Sequence, residues 1–463
     1  MLYEKLKAYA ESGVYPFHMP GHKRQKICGL PYDLDLTEID GFDNLHHPEG
    51  CIREIEKRAE RLFNVKRAFL LINGATGGIL AGIRSLTSPG DTVIIARNCH
   101  RSVYNAVELC GLNTEYIYPE RLPEHPSVCG GVTEKEVYEA LQAHPDAKLV
   151  VLTSPTYEGV GSDLALIAEV CFNRGARLFV DEAHGAHLYF DNKTVTAMAA
   201  GADVSVVSLH KTLPSLTQTA LLLTNDDPLI PLLQENLSMF ETSSPSYLLM
   251  SSVEWCLRYI EENKSGFESY EKRLDTFYQR TESLQNLQLL YQRLPESVYD
   301  NDRGKLVIMT SGTDLSGHAL AELLRREFKL ETEMSACDYV IAMSSVCDTD
   351  EGFERLADAL LKIDKRLRRD NPNKFSAKEI KLKKAYSSCD CFRHASAERP
   401  LNETSGTVTH EDVFAYPPGI PLAVKGEIIS DELLRELEEL EQNGANIFSS
   451  RNTYPHGLIT ADL

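Results

Sequence analysis

Lys211 is the residue of this chain whose type and position are best suited to covalent chemistry. It follows an apolar, β-branched run at residues 204–207, and His210 stands directly before it. A lysine that is held neutral attacks carbonyl carbons and forms a Schiff base. A second apolar run ends at Asp181, and His184 follows shortly after it. These residues predict a catalytic lysine beside a carboxylate and an imidazole.

A turn of small residues earlier in the chain is suited to binding phosphate. Residues 68–72 are apolar and predict a buried strand, and a helical pattern follows after a short interval. The residues of that interval that could face a ligand are Gly74, Ala75 and Thr76. N–H groups at the start of a helix lack intrahelical partners and carry a partial positive charge. We therefore expect a phosphate group to bind at this turn, with further contacts from Ser208 and His210.

Alternating strand and helix patterns predict an α/β fold. Apolar runs that predict strands end at or just before His100, Thr153 and Asp181, and helical patterns lie between them. Apolar strands connected by helices form a mainly parallel sheet that helices cover on both faces. The carboxyl ends of parallel strands lie at one edge of such a sheet, where ligands bind. We therefore expect these three side chains close to Lys211.

Pyridoxal phosphate is the cofactor whose chemical groups match these residues. Its aldehyde suits Lys211, and its phosphate suits the turn at residues 74–76. Its pyridine ring acts as an electron sink when a carboxylate keeps the ring nitrogen protonated, a role that suits Asp181. The flat ring of His100 could stack on the cofactor, and Thr153 is expected among the cofactor-binding residues.

The chain resembles the Orn/Lys/Arg decarboxylases, a family of fold-type-I pyridoxal-phosphate enzymes. The stretches that carry the resemblance are residues 20–23, 73–78, 97–100, 180–187, 210–211 and 416–421, and they cover nearly the whole length. The resemblance implies an α/β, fold-type-I transferase-like architecture with smaller α/β domains after the large one.

The resemblance also implies roles for individual residues. Lys211 would carry the cofactor, Asp181 would contact the ring nitrogen, His100 would stack on the ring, and His184 would lie near the reacting centre. The residues expected around the phosphate are Ala75, Thr76, Ser208 and His210. The implied protein is a homodimer with active sites at the subunit interface. It would decarboxylate a basic L-amino acid (arginine, lysine or ornithine) to carbon dioxide and an amine that feeds polyamine synthesis.

Three features depart from the family's pattern. Leu223 stands where relatives often carry His, and Lys425 stands where Pro is common. The chain also begins close to the N-terminal arm, so we expect a short form without the wing domain and the large ring assembly of long members. The choice among the three substrates stays open. The distal cation of the substrate could bind Asp40, Asp43 or Glu427.

Two other functions remain open at this point. An aminotransferase would use the same cofactor, but it would usually need an arginine to hold the α-carboxylate of its substrate. A metal-dependent hydrolase would use Asp181, His184 and His187 as ligands. A His-x-x-His pair places both rings on one face only in a helix, whereas these residues follow a predicted strand.

Composition sets the remaining expectations. The formal net charge of −20 opposes binding to nucleic acids and to anionic membrane surfaces. The 11 cysteines are odd in number and scattered, which is typical of a reduced cytoplasmic protein. We expect no membrane-spanning helix. The predicted segments are an arm (1–50), a large cofactor-binding domain (51–300), a small α/β domain (301–365), a linker (366–390) and a C-terminal domain (391–463).

Overall fold

The computed structural model describes residues 1–13, 19–20, 23, 29–191, 193–295, 298–368, 380–415 and 419–463. Residues 16–24, which are part of the predicted arm (1–50), lie mostly outside the described residues. The same is true of positions 369–379 in the predicted linker and of residues 416–418 in the proline-rich stretch.

Helices and strands alternate through the first half of the chain. The helices are α1 (Leu2–Glu11), α2 (Cys51–Phe63), α3 (Gly74–Leu86), α4 (Arg101–Cys110), α5 (Glu134–Ala143), α6 (Leu164–Arg174), α7 (Ala197–Ala200), α8 (Leu209–Thr212), α9 (Leu229–Phe240), α10 (Tyr247–Glu262), α11 (Lys264–Thr281), α12 (Gly317–Phe328), α13 (Asp350–Asp364) and α14 (Asp431–Gln442). Short 3-10 helices cover Ala186–Phe190, Leu290–Arg293, Ser388–Arg393 and Leu401–Glu403.

The strands are mostly short. They are β1 (Arg67–Leu71), β2 (Thr92–Ala96), β3 (Asn113–Ile117), β4 (Arg121–Leu122), β5 (His125–Cys129), β6 (Leu149–Thr153), β7 (Val160–Gly161), β8 (Arg177–Asp181), β9 (Val204–Ser208), β10 (Ala220–Thr224), β11 (Gln288–Leu289), β12 (Asp300–Asn301), β13 (Lys305–Met309), β14 (Met334–Ser335), β15 (Tyr339–Met343), β16 (Ala397–Pro400), β17 (Val408–Thr409), β18 (Val413–Ala415), β19 (Ile420–Ala423), β20 (Ile447–Ser449) and β21 (Gly457–Ala461).

The chain forms two compact units. Unit 1 comprises Met1–Leu86 and Arg177–Glu268, and unit 2 comprises Thr87–Ala176 and Ser269–Leu463. The five predicted segments divide the chain by a different criterion, and their boundaries remain a prediction.

Unit 1 contains four neighbouring strands in the order β1-β10-β9-β8. Strand β10 runs antiparallel to both of its neighbours, and β8 and β9 are parallel. Strands β1, β9 and β8 therefore share one direction, and their carboxyl ends lie at the same edge. Leu71 and Ser208, the last residues of β1 and β9, both pair with Ala220.

Helix α3 packs closely on this sheet because it is rich in glycine. A Cβ atom on Gly78 would lie 2.7 Å from Leu71 Cδ1, and one on Gly82 would lie 2.3 Å from Phe179 Cε2. Both distances are far below van der Waals contact, so larger residues would push the helix away from the strands. This packing holds the first turn of α3 at the edge where β1 and β9 end.

Unit 2 contains the parallel strands β6-β2-β3 and an antiparallel sheet β11-β13-β15-β14, on which α12 packs. The C-terminal segment forms the three-stranded sheets β16-β21-β17 and β19-β18-β20. Its core includes Val413, Leu433, Leu437 and Leu458, which joins α14 to these strands.

Most predicted elements are present, with three corrections. The turn at Gly74 is already the first turn of α3, because helical geometry begins there rather than at the later apolar residues. Strand β9 ends at Ser208, and Lys211 lies on the single-turn helix α8. The sequence pattern of residues 248–284 predicts one long helix, but the structure has two helices there, α10 and α11, which Asn263 separates. In the described part of the chain, no helix is long and apolar enough to span a bilayer.

Candidate active site

Lys211 and His184 are in direct contact in unit 1. Lys211 Nζ lies 2.9 Å from His184 Nε2, although 27 positions separate the two residues in the sequence. His184 follows β8, Lys211 follows β9, and these strands are parallel neighbours. The parallel pairing therefore brings both side chains to one edge of the sheet.

Asp181 is the last residue of β8 and is only 2% exposed. Its Oδ1 accepts a hydrogen bond from the Ala183 N–H at 3.0 Å. Burial raises the pKa of Asp181, while the nearby Lys211 cation and the Ala183 N–H act in the opposite direction. A carboxylate in this position is stabilised when a cationic partner is available.

The neighbouring Glu182 fixes the backbone around these residues. It accepts hydrogen bonds from Ser205 Oγ at 2.5 Å, from Tyr189 OH at 2.7 Å and from the Ala197 N–H at 2.9 Å. Burial raises the pKa of Glu182. Sequence reasoning did not select Glu182, and its position next to Asp181 in an otherwise apolar strand end was the available signal.

The glycine turn at Gly74 and the helical turn α8 that carries Lys211 are both hydrogen-bonded to the loop before β10. The Gly74 N–H, which has a positive φ of 71°, donates to Gln218 O at 2.8 Å. The Leu209 N–H donates to Thr219 O at 3.1 Å, and His210 Nδ1 lies 3.0 Å from the same oxygen. Unit 1 thus brings together the first turn of α3, where Ala75 and Thr76 lie, and the start of α8 after Ser208.

Burial favours the neutral form of the His210 ring. Burial lowers the pKa of His210, and the Lys211 cation lowers it further, against the effect of the Thr219 carbonyl. A neutral imidazole whose Nδ1 donates to Thr219 O has an acceptor at Nε2, so the ring could receive a hydrogen bond but adds no positive charge.

His100 and Thr153 belong to unit 2. His100 is the N-cap of α4, where its Nδ1 accepts from the Ser102 N–H at 3.3 Å and contacts Ser102 Oγ at 2.8 Å. Thr153 is the last residue of β6, and its Oγ1 is buried without a hydrogen-bond partner among the described residues. Thr153 lies at a strand end, as the sequence predicts, whereas β2 ends at Ala96, four residues before His100.

Two of the three acidic residues considered for a substrate cation, Asp43 and Glu427, have structural contacts. The carboxylate of Asp43 accepts five backbone N–H groups, those of Asn44, Glu49, Gly50, Ile52 and Arg53. Glu427, in unit 2, is 1% exposed and pairs with Arg97 at 3.4 Å. These contacts argue against Asp43 as the cation-binding residue, because its oxygens already cap the start of α2.

The metal-site alternative gains no support from this geometry. His187 lies in the 3-10 helix at Ala186–Phe190 and is buried. Across the described ranges, no three His, Cys, Asp or Glu side chains are grouped closely enough to hold a metal ion.

Comparison with known proteins supports the resemblance that the motifs carry. The family model described as "Orn/Lys/Arg decarboxylase, major domain" matches residues 1–321. The chain belongs to the Orn/Lys/Arg decarboxylase family. This membership confirms the sequence-based prediction of an amino-acid decarboxylase.

Two relatives of this decarboxylase are similar over nearly their whole length. An arginine decarboxylase of Bacillus subtilis (strain 168) is 32% identical over 455 residues, which cover 93% of this chain and 91% of that protein. An arginine decarboxylase of Halalkalibacterium halodurans is 30% identical over 461 residues, which cover 96% of this chain and 94% of that protein.

The solved structure of a lysine decarboxylase from Francisella novicida has the same fold. It superposes on all of this chain and on 81% of its own length, with a TM-score of 0.84 and 18% sequence identity. The predicted fold-type-I α/β architecture is therefore confirmed for this decarboxylase.

Proposed function

We propose that this decarboxylase uses pyridoxal phosphate to convert a basic L-amino acid to carbon dioxide and an amine. The observation that carries the proposal is the contact between Lys211 Nζ and His184 Nε2 beside the buried Asp181. The relatives named arginine decarboxylase support a basic substrate, and arginine is the first one to test. The amine would enter polyamine synthesis.

The residues of the site fit this cofactor. The first N–H groups of α3 form an anion-binding end of a helix, and Asp181 is a buried carboxylate that favours a cationic partner. In unit 2, the buried Thr153 Oγ1 has a hydrogen-bonding capacity that no described residue uses. We include His100 and Thr153 among the proposed cofactor ligands because the sequence predicts them. The other proposed ligands are Gly74, Ala75, Thr76, Ser208 and His210.

Bound pyridoxal phosphate supplies an electron sink for the bond that joins Cα to the carboxylate. Lys211 Nζ would hold the cofactor, and Asp181 would keep a proton at the ring nitrogen. His184 Nε2 and Lys211 Nζ lie within hydrogen-bond distance, so a proton can pass between them. One of these two groups returns a proton to Cα after carbon dioxide leaves.

Carbon dioxide release from L-arginine, L-lysine and L-ornithine tests the reaction and the substrate together. We expect release from at least one of them with purified protein and added pyridoxal phosphate, and no matching keto acid. Keto-acid formation in place of carbon dioxide would identify an aminotransferase and contradict the proposal.

The Lys211→Ala variant tests the covalent role. We expect loss of the visible absorbance of lysine-bound cofactor, because no other amine of the site would take this place. The control is Lys57→Ala, which removes an exposed lysine that pairs with Glu54 on α2. An unchanged absorbance band in Lys211→Ala would disprove the assignment.

The His184→Gln variant tests proton transfer. We expect cofactor binding and its absorbance to persist, while turnover falls by about 10²–10⁴, the usual contribution of a general acid or base. Turnover within twofold of the parent would exclude His184 from the reaction.

We also propose that the protein is a homodimer with its active sites at the subunit interface, as the family resemblance implies. Light scattering of the purified protein measures its mass in solution, and a monomer with full activity would contradict this assembly.

A further inference from the structure

Unit 2 contains a mostly apolar cavity of about 270 Å³ that none of the residues Asp181, His184 and Lys211 lines. Its wall includes residues of the β4–β5 hairpin, the β14–β15 hairpin and helix α14, together with Asn98 and His318. Met334, Leu433 and Leu440 contribute apolar surface. We refer to this space as the unit 2 cavity. Dry cavities of roughly 150 Å³ bind benzene, so this one has room for a short aliphatic chain.

Polar atoms of the wall are left without partners, and the clearest one is an acceptor. Asp338 is 4% exposed; its Oδ2 accepts from Ser127 Oγ at 2.8 Å, while its Oδ1 has no hydrogen-bond partner among the described residues. The amide oxygen of Asn98 likewise has no hydrogen-bond partner among the described residues. A buried acceptor without a partner is costly, so an occupant that donates N–H groups would stabilise this wall.

His318 adds a third polar atom without adding charge. Its Nδ1 contacts Ser335 Oγ at 2.9 Å, and its Nε2 has no partner within the described ranges. Burial lowers the pKa of His318 and so favours its neutral form. A neutral ring does not repel a cation.

The charges of the wall favour a cation. Asp338, Glu158 and Glu436 all line the cavity, and Glu158 accepts from the neutral Tyr339 OH at 2.8 Å. Of the two arginines of the wall, Arg97 pairs with Glu427 at 3.4 Å. Arg121 donates to the carbonyl oxygens of Pro126 and Ser127. Burial raises the pKa of Asp338, and the Arg121 cation acts in the opposite direction. With Arg97 paired to Glu427, the three carboxyl groups outnumber the remaining cation of the wall.

We propose that the unit 2 cavity is a second ligand site, which binds a linear aliphatic cation with free N–H donors, such as an alkylammonium or alkylguanidinium ion. The cationic end donates to Asp338 Oδ1 and to the Asn98 amide oxygen, and the alkyl chain packs against Met334, Leu433 and Leu440. Asn98 lies two positions before His100, so the occupant contacts the segment that carries a proposed cofactor ligand.

The class of ligand follows from the cavity alone. The amine product of the proposed reaction belongs to this class, and only its identification as the physiological ligand rests on the proposed function. Binding and decarboxylation are measured separately, so failure of one is distinguishable from failure of the other.

Isothermal titration of the cofactor-loaded protein with n-pentylamine, agmatine and 1-pentanol tests the proposal. We expect the two cations to bind at least tenfold more tightly than the alcohol, without change in the cofactor absorbance band. Asp338→Asn should weaken cation binding at least tenfold and leave the alcohol unaffected, since the variant keeps the shape of the side chain and removes its charge.

Two further variants distinguish a loss of ligand binding from a general loss of folding. Ala445 lines the cavity, and Ala445→Met should weaken all three ligands by filling the space. Glu322→Gln removes an exposed carboxylate of α12 and should change nothing. Equal affinity for amine and alcohol, absence of binding, or cation binding that Asp338→Asn leaves intact would each overturn the proposal. Equal affinity would mean that the cavity is apolar and does not select cations. Absence of binding would mean that the cavity holds water. Cation binding that survives in Asp338→Asn would mean that the cation binds at another site.

Discussion

Replacement of Glu241 by glutamine should remove a pH-dependent loss of stability from unit 1. Glu241 follows α9 and is 6% exposed. Its Oε2 accepts from the N–H groups of Ile72 and Asn73 at 3.1 and 3.2 Å, directly before the glycine turn. Its Oε1 is buried and has no partner within the described residues. Sequence reasoning did not select this residue.

The magnitude follows from the pKa of this carboxyl group. Burial raises the pKa of Glu241 from 4.5 to about 7, against the opposing effect of the two backbone N–H groups. The folded state therefore binds a proton between pH 4.5 and 7 that the unfolded state has released, so stability falls as pH rises through this range. At about 1.4 kcal/mol per pH unit, the full loss above pH 7 is about 3 kcal/mol.

Glutamine resembles the protonated carboxyl group in shape and carries no charge. We expect Glu241→Gln to equal the parent in stability at pH 5 and to exceed it by up to about 3 kcal/mol at pH 8. Urea unfolding at pH 5, 6, 7 and 8 measures this difference. The fluorescence of Trp255, the chain's single tryptophan, reports on unit 1 because it lies on α10.

The control is Glu235→Gln, which removes an exposed carboxylate from the same helix α9. It should leave the dependence of stability on pH unchanged. Parallel stability curves for Glu241→Gln and the parent between pH 5 and 8 would show that Glu241 titrates normally, and the reasoning from burial would be refuted.

Three further predictions concern structural contacts. Asp43→Ala should destabilise the fold by about 1–2 kcal/mol, because the start of α2 loses its cap; urea midpoints measure this, and an unchanged midpoint would contradict it. Gly82→Ala should cost about 1–3 kcal/mol through the clash with Phe179, and a thermal midpoint equal to the parent's would show that the ring can move. Arg97→Met should cost about 3–5 kcal/mol, because it leaves Glu427 buried without its cation. The double variant with Glu427→Met should regain most of that loss, and additive losses would argue against the pair.

The sequence by itself determined the local structure and the set of reactive groups. The spacing of Thr133 and Glu136 is that of a capping box, and Ser430 is of a residue type that favours the N-cap position. The structure contains both caps, and the Leu433 N–H donates to the Ser430 side chain. Such contacts join residues at most four positions apart, so the local pattern contains the information needed to predict them. The order of glycine turn, Asp181, His184 and Lys211 likewise predicts the chemistry that we propose.

Only the tertiary structure decided which groups meet and which are already occupied. The antiparallel direction of β10 and the contact of Glu241 with the glycine turn 168 residues away depend on strand pairing and burial. These arise from contacts between distant segments, which a local pattern does not encode. Burial also sets the pKa of each carboxyl group, because desolvation acts only after the chain has folded.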